Sequence, residues 1–341
     1  DTVDIVTGGA PCESFSMAGD RKEQDDRNIL YKNVLRIARA VDSKMFMFEN
    51  VKGLFSKRNN GHSGKMYEMI CEEFQQKIPG LPSYSLASTE IKDVLLKAAD
   101  YGVPQMRERI FLVGINDEYE NCKFEYPPKT HGINCDLPYV SVADALMDLP
   151  TVNTKEENNV YDFNFSQLSN GNRVQFLRRM RGDLSMVPNH IVFNDHSLSS
   201  HKGPGHTKKM MHRIKLILQG ENMKSAYDRL KKEDNIELFD EYFPNKLYSA
   251  RNRRLRADEP SFTVTSHCLD EMIHPFSDRA LTPREAARLQ SFPDWYQFKG
   301  PYVKFHSDVQ QDRYEQIGDA IPPLLAYALA EQIVKTLNSS K

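Results

Sequence analysis

Short apolar runs and helical spacings alternate along the chain up to residue 151. Val3 to Thr7 and Lys44 to Phe48 read as brief buried strands, and between them Leu30, Val34, Ile37, Ala38 and Val41 recur at the spacing of one helix face. Met66, Met69, Ile70 and Phe74 predict a second helix, which ends before the Pro/Gly break at Pro79 to Pro82. Arg109 to Ile115 predicts a further buried strand. This alternation predicts an α/β domain, a mostly parallel sheet covered by helices. After residue 151 the texture changes. Thr151 to Gly171 is polar and Asn-rich, and the stretch to about residue 275 loses the alternation and gains basic clusters. Thr282-Pro283-Arg284-Glu285 then combines an N-cap, a first-turn proline and a capping glutamate, so a helix starts there. Pro322-Pro323 opens a last helix, whose apolar face of Leu325, Ala328, Leu329, Ile333 and Leu337 is expected to pack on the first sheet. The expected organisation is a first segment, 1–151, an inserted second one, 152–275, and a return to the first domain over 276–341.

A length of 341 residues exceeds the roughly 250–300 at which a single core stops growing, in keeping with two domains. With 40% hydrophobic and 27% charged residues the chain can bury a sizeable core, which excludes disorder and collagen. Apolar runs such as Leu324 to Ala330 fall far short of the roughly 20 residues of a membrane span, so no membrane partner is expected. The net charge of −2 means that contact with a polyanion must come from local clusters. Five cysteines, Cys12, Cys71, Cys122, Cys135 and Cys268, are odd in number and contain no C-x-x-C, which argues for a reducing compartment. The chain opens on Asp1, directly before a strand, and reads as a piece of a longer protein.

Three stretches carry candidate chemistry. Gly8-Gly9-Ala10-Pro11-Cys12 follows the first strand, so Cys12 falls at a strand's carboxyl end, where open α/β sheets place ligands. Glu49-Asn50-Val51 puts a carboxylate at the end of a second strand. Gln105-x-Arg107-x-Arg109 alternates polar groups on one strand face, so two guanidinium groups point the same way and favour an anion between them.

Together with Pro11-Cys12-Glu13-Ser14-Phe15-Ser16, Asp26-Arg27-Asn28, Arg279-x-Leu281-Thr282-x-Arg284-Glu285-Ala286-x-Arg288-Leu289-Gln290 and Gly318-x-Ala320-x-Pro322-Pro323, these stretches occur in the order of the C5-cytosine DNA methyltransferases, and the chain resembles that family over nearly its whole length. The resemblance implies the C-terminal portion of a Rossmann-like, S-adenosylmethionine-dependent methyltransferase sheet with a smaller DNA-recognition domain. It implies methyl transfer from S-adenosyl-L-methionine to C5 of a flipped cytosine in a specific duplex sequence. Cys12 is then the nucleophile that adds to C6, Glu49, with a raised pKa, holds or protonates N3, and Arg107 and Arg109 contact the base O2 and adjacent phosphate. Pro11, Ser16, Asn50, Val51 and Gln105 shape the substrate pocket, and the polar loop Ser14 to Asn28 corresponds to the loop that closes over the flipped base. Asp319 and Ala320 fall near the cofactor.

The region between the arginine strand and Thr282 corresponds to the family's DNA-recognition part. Arg173, Arg178, Arg179 and Arg181, then Lys202, Lys208, Lys209 and Arg213, then Arg251, Arg253, Arg254 and Arg256 form three basic clusters there. Arg178, Arg179, Arg181, Lys208, Lys209, Arg253 and Arg254 are the expected DNA contacts. His190, His196, His201, His206 and His212 share this region without a neighbouring Cys or a His pair one helical turn apart, so no metal is expected.

The resemblance breaks at three places. Nothing matches the family's glycine-rich cofactor turn, Glu13 stands where Gln is usual, and Asp319 stands where Asn is usual. A missing N-terminal segment or a complementary subunit is therefore expected as a partner, alongside duplex DNA. Two other readings stay open: a non-catalytic DNA-binding subunit or fragment of a split methyltransferase, and an RNA cytosine C5-methyltransferase. In a bacterium the expected place is the cytoplasm, at the nucleoid, and in a eukaryote the nucleus; a restriction-modification role fits the former.

Overall fold

The computed structural model describes residues 3–9, 30–56, 58–59, 62–119, 122–164, 171–181, 196–304 and 309–339. The chain forms two compact units, one of Asp1–Lys97, Glu108–Pro128 and Ala326–Lys341, the other of Ala98–Arg107 and Lys129–Leu325. The expected recognition segment 152–275 falls within the second.

The first unit runs β1 (Ile5–Gly9), α1 (Lys32–Ala40), β2 (Met45–Val51), a small ladder of β3 (Arg58–Asn59) and β4 (His62–Ser63), α2 (Lys65–Phe74), β5 (Tyr84–Leu86), α3 (Ile91–Val94), β6 (Leu95–Lys97) and β7 (Glu108–Asn116). Its sheet has the order β1-β2-β7-β5, with β6 also paired to β7. Only β1 and β2 are parallel; β7 runs antiparallel to β2, β5 and β6. This corrects the mostly parallel sheet expected from the sequence. The three-residue strands β5 and β6 are too short to show a period, so the alternation gave no hint that the chain returns beside β2 in the opposite sense.

The core of this unit lies on one sheet face. Phe46 and Phe48 of β2 and Ile110 and Leu112 of β7 pack with Val34, Leu35 and Ala38 of α1 and with Ile70, Cys71 and Phe74 of α2. Phe74 meets Phe46, Phe48 and Tyr31 edge-on, with ring centroids 5.1, 5.4 and 5.9 Å apart. Helix α1 is rotated from the expected face: Leu35 is buried, whereas Ile37 and Val41 are exposed. In β7, Gly114 lets the Phe46 ring lie where a side chain would otherwise stand, since a Cβ there would come within 2.1 Å of it.

The second unit is helical: α4 (Val142–Leu146), α5 (Asn172–Arg181), α6 (Lys208–Leu216), α7 (Met223–Lys232), α8 (Ile236–Tyr242), α9 (Cys268–Glu271), α10 (Pro283–Leu289) and α11 (Arg313–Asp319), with the short parallel pair β8 (Arg253–Arg254) and β9 (Met272–Ile273). Thr282 caps α10 as expected, in a reciprocal capping box with Glu285. The last helix, α12 (Pro323–Ser339), starts at the second proline of the expected pair. Its Leu325, Leu329 and Ile333 are buried, and from Ala326 onward it belongs to the first unit.

An ionic cluster centres on α10. The Arg288 guanidinium donates to both carboxylate oxygens of Asp294 at 2.7 Å and to those of Asp148 at 3.0 and 2.9 Å. Arg181 joins Asp294 at 2.8 Å and stacks on the Tyr161 ring at 3.6 Å, while the Tyr161 hydroxyl donates to Asp148 at 2.7 Å. Such buried charges survive only with partners on every side. The neighbouring guanidiniums hold the Asp294 carboxyl well below the ordinary carboxylate range against the opposing effect of its burial.

Candidate active site

β1 and β2 leave the sheet side by side. Their parallel register sets Gly9 opposite Glu49, and a Cβ on Gly9 would lie 3.1 Å from Glu49 Oε2. Glycine at that position lets the carboxylate lie against the strand end. On the other side of β2, the antiparallel register pairs Glu49 with Phe111 and Val51 with Arg109. Side chains two apart share a face, so Glu49 and Arg109 are diagonal neighbours. Arg109 Nε stands 3.1 Å from Glu49 Oε1, and the two side chains are only 14% and 21% exposed. Arg109 also donates through Nη1 to the Glu108 carbonyl at 2.8 Å. Asn50 points to the opposite, core face and is buried. Its Oδ1 accepts the Val51 N–H at 2.8 Å, while Nδ2 is buried with no hydrogen-bond partner among the described residues. Glu49, Asn50, Val51 and Arg109 thus come together at one end of the first unit's sheet. Pro11, Cys12 and Ser16 lie outside the described residues, as do Ser14 to Asn28 and with them Asp26-Arg27-Asn28.

Gln105 and Arg107 belong to the second unit. Gln105 is fully buried; its Nε2 donates to the Gln290 side chain and to the Leu289 carbonyl, and its Oε1 accepts the Val264 N–H at 2.8 Å. Gln290 in turn donates to the carbonyls of Ile317 and Ala320 at 2.8 and 2.9 Å. Arg107 is buried and donates to the carbonyls of Val264 and Gly318 at 2.9 and 3.1 Å. The two guanidiniums therefore do not flank a common anion, as the alternation suggested: Arg109 faces a carboxylate, whereas Arg107 clamps two backbone carbonyls. Gly318 is required by close approach, since a Cβ there would stand 2.1 Å from the Thr265 carbonyl carbon. Next to it, Asp319 Oδ2 accepts from Gln311 at 2.9 Å, and partial burial together with Glu315 raises its carboxyl pKa.

The basic residues divide sharply. Arg178, Arg179, Lys208 and Lys209 are exposed. Arg181 is buried in the ionic cluster, and Arg254 is buried with its guanidinium donating to the carbonyls of Ile214, Ile217, His274 and Ser277 and to Asp278. Arg253 is half-buried, its guanidinium 3.2 Å from the centre of the Phe262 ring. Both Arg181 and Arg254 are thus spent on the interior of the unit. Sequence reasoning missed this because a guanidinium in a basic run looks the same whether it faces solvent or a row of carbonyls. It also passed over Asp148 and Asp294, whose only signal was the need of Arg284 and Arg288 for counter-charges.

Of the described histidines, His201, His206 and His274 serve as interior polar groups, whereas His196 and His212 are exposed. His201 is bonded to Thr282 and to the Pro150 carbonyl, and His206 Nε2 accepts the Ala280 N–H. His274, close to Glu285 at 3.7 Å, accepts the N–H groups of Phe276 and Ser277 through Nδ1.

Comparison with known proteins shows the family and the fold. The family model of the C-5 cytosine-specific DNA methylases matches residues 1–335. The Type II methyltransferase M.DdeI of Desulfomicrobium norvegicum is 32% identical over 335 residues, 97% of this chain and 72% of that protein. M1.HphI of Haemophilus parahaemolyticus, another Type II methyltransferase, is 30% identical over 98% of this chain and 68% of its own. Among solved structures, a putative DNA modification methyltransferase encoded within a prophage (E. coli) superposes with a TM-score of 0.64 at 24% identity, covering 99% of this chain and 80% of that one. The mixed α/β fold is thus the Rossmann-like fold of the S-adenosylmethionine-dependent methyltransferases, and the family implies catalysis dependent on that cofactor. The chain belongs to the C-5 cytosine-specific DNA methylase family and is an enzyme that methylates cytosine at C5 in DNA.

Proposed function

We propose that methyl transfer proceeds through a covalent adduct between Cys12 and C6 of a cytosine flipped out of a specific duplex sequence, with Glu49 and Arg109 as the groups that activate the ring. The observation that carries this reading is the Glu49–Arg109 pair at the strand end beside Gly9. Two residues, Ala10 and Pro11, separate Gly9 from Cys12, so that three Cα-to-Cα steps span at most about 11 Å. A base entering there exchanges the partners of the pair: Arg109 turns from the carboxylate to O2 of the base, and the freed Glu49, which takes up a proton from solvent as it parts from Arg109, meets N3. The Cys12 thiolate then adds to C6 as N3 takes a proton from Glu49, which leaves electron density at C5. S-adenosylmethionine, when bound, supplies the electrophilic methyl group. After transfer a water molecule takes the C5 proton, the C6–S bond breaks, N3 returns its proton to Glu49, and aromaticity and the thiolate are restored. Pro11, Ser16, Asn50 and Val51 line the pocket in this reading. Gln105 and Arg107 act as positioning residues that fix the Val264 and Gly318 segments.

Asp319 and Ala320 offer a carboxylate and a backbone turn fitting the polar part of the cofactor, as the Gln311 bond to Asp319 shows the carboxylate accepting a neutral donor. In this reading the family's glycine-rich turn comes from a further segment or a complementary subunit. Arg178, Arg179, Lys208 and Lys209 contact duplex phosphates, and Arg253 acts beside them. The Type II character of the relatives supports a modification role paired with a restriction enzyme, in the cytoplasm of a bacterial cell, at the nucleoid.

The test is steady-state methyl incorporation into duplex DNA, with the missing turn supplied by a relative's N-terminal segment where the chain alone is silent. Glu49→Gln and Arg109→Ala are expected to lower kcat by about 10²–10⁴-fold while leaving duplex affinity within about threefold. Unchanged kcat in both variants contradicts the assignment.

A further inference from the structure

We propose that a cleft in the second unit, bounded by α6, the start of α7 and the segment after α8, is a binding site for a phosphate group, that of the DNA backbone or of a free phosphate ester. The cleft has a volume of about 230 Å³, and its lining includes Met210, Arg213, Met223, Arg251, Asn252 and Asp270. Arg213 is held rigidly by neutral groups: Nε donates to the Tyr242 carbonyl at 2.9 Å, and Nη1 to Asn252 Oδ1 at 3.3 Å and to Met210 Sδ at 3.6 Å. Asn252 is itself locked by donating Nδ2 to the Asp270 carbonyl at 3.0 Å. A guanidinium pre-oriented this way, with no bond from Nη2 among the described residues, keeps one edge of its fork for an incoming anion.

The electrostatics agree. Burial lowers the Arg213 pKa, and no carboxylate among the described residues offsets that cost. Arg251 and Lys246 flank Tyr248, their charges 5.2 and 5.1 Å from the ring centre, and Arg251 continues into the cleft. Two cations, Arg213 and Arg251, thus line the cleft against one lining carboxylate, Asp270, and Lys246 lies against the lining Tyr248. The buried guanidiniums of Arg181, Arg279, Arg284 and Arg288 each have a carboxylate partner. Arg213 is half-buried with no carboxylate paired to it among the described residues, and a phosphate supplies the missing charge.

For the DNA source, the proposal rests on the reading of residues 152–275 as the DNA-contacting region; for the chemistry it does not. Two measurements on the full chain decide it. In the first, duplex affinity is measured against salt for the unmodified chain and for Arg213→Gln, Arg213→Lys and Arg251→Gln. Each Gln variant is expected to weaken binding about tenfold at 0.15 M salt and to reduce the slope of log K against log salt by about 1, whereas Arg213→Lys keeps most of the slope. Melting temperatures verify folding, and the exposed Arg251 gives a variant that removes no interior bond. In the second, inorganic phosphate is titrated while the methyl resonances of Met210 and Met223 are followed by NMR. A changed slope without methyl shifts supports the DNA backbone as source. Methyl shifts that vanish in Arg213→Gln, with an unchanged slope, support a free phosphate ester. Unchanged slopes together with silent methyls overturn the proposal. Absence of any duplex binding by the unmodified chain counts against the DNA-contacting reading and leaves the methyl titration to decide the site.

Discussion

At the scale of single residues, neighbours in the sequence hold different offices. Arg107 and Arg109 are two positions apart on one extended run, yet Arg109 faces Glu49 and Arg107 ties the carbonyls of Val264 and Gly318. Removing them should therefore have different consequences. Arg107→Ala leaves two buried carbonyls without their donor and is expected to destabilise the fold by about 2–4 kcal/mol. Gly318→Ala forces a Cβ to 2.1 Å from the Thr265 carbonyl carbon and is expected to lower the melting temperature by several degrees, by about 1–3 kcal/mol of overpacking. Thermal denaturation checks both, and a melting temperature unchanged by either would mean that these contacts do not hold the segment. The sequence showed where Glu49 and the arginines stand along their strands. It could not show which guanidinium meets the carboxylate, because that depends on the antiparallel register of β7 against β2.

At the scale of elements, the start of α10 is a buried ionic and imidazole cluster. Glu285 caps the helix and pairs with Arg279 through two bonds of 2.7 Å, which, with His274 and His201 nearby, keep its carboxyl down at about 2 despite burial. Burial pushes the His274 imidazole down to about 4, with Glu285 opposing and Arg279, Arg254 and His201 assisting; burial likewise lowers His201 and His206. An imidazole depressed in the folded state stays neutral there while its unfolded counterpart takes up a proton below about pH 6.5. Stability conferred by these histidines is thus complete above pH 6.5 and falls as the pH drops towards 4, by about 3 kcal/mol for His274 alone. Glu285 adds a second loss below about pH 4.5. Urea unfolding between pH 8 and 4.5 should show stability declining from near pH 6.5, with a shallower decline in His274→Gln; a flat profile to pH 5 contradicts this. The capped start of α10 was legible from Thr282, Pro283 and Glu285, because a helix start is written in adjacent residues. Its partners Asp148 and Arg181 come from distant stretches and leave no local mark, so the basic cluster holding Arg181 read as a DNA contact.

At the scale of the whole molecule, the order of motifs was enough to place the chain in its family, and the strand and helix pattern was enough for an α/β first unit. The sense of β7 and the helical make-up of the second unit were not legible, since the strands flanking β7 are too short for a period and irregular segments carry none. If 152–275 chooses the target, exchanging it for the same region of a Type II relative should change the methylated sequence while the product stays 5-methylcytosine. Bisulfite sequencing of the methylated substrate reads both at once, and retention of the original target sequence would contradict the assignment. The central claim is the covalent route through Cys12, and trapping on a duplex with 5-fluorocytosine at the target tests it most directly, because the fluorine cannot leave as the C5 proton does. With S-adenosylmethionine and any required complementing segment present, the enzyme is expected to form a denaturation-resistant adduct that peptide mapping assigns to Cys12 and that Cys12→Ser abolishes while still binding duplex. An adduct of undiminished yield in Cys12→Ser, or one mapped to another residue, would contradict the account.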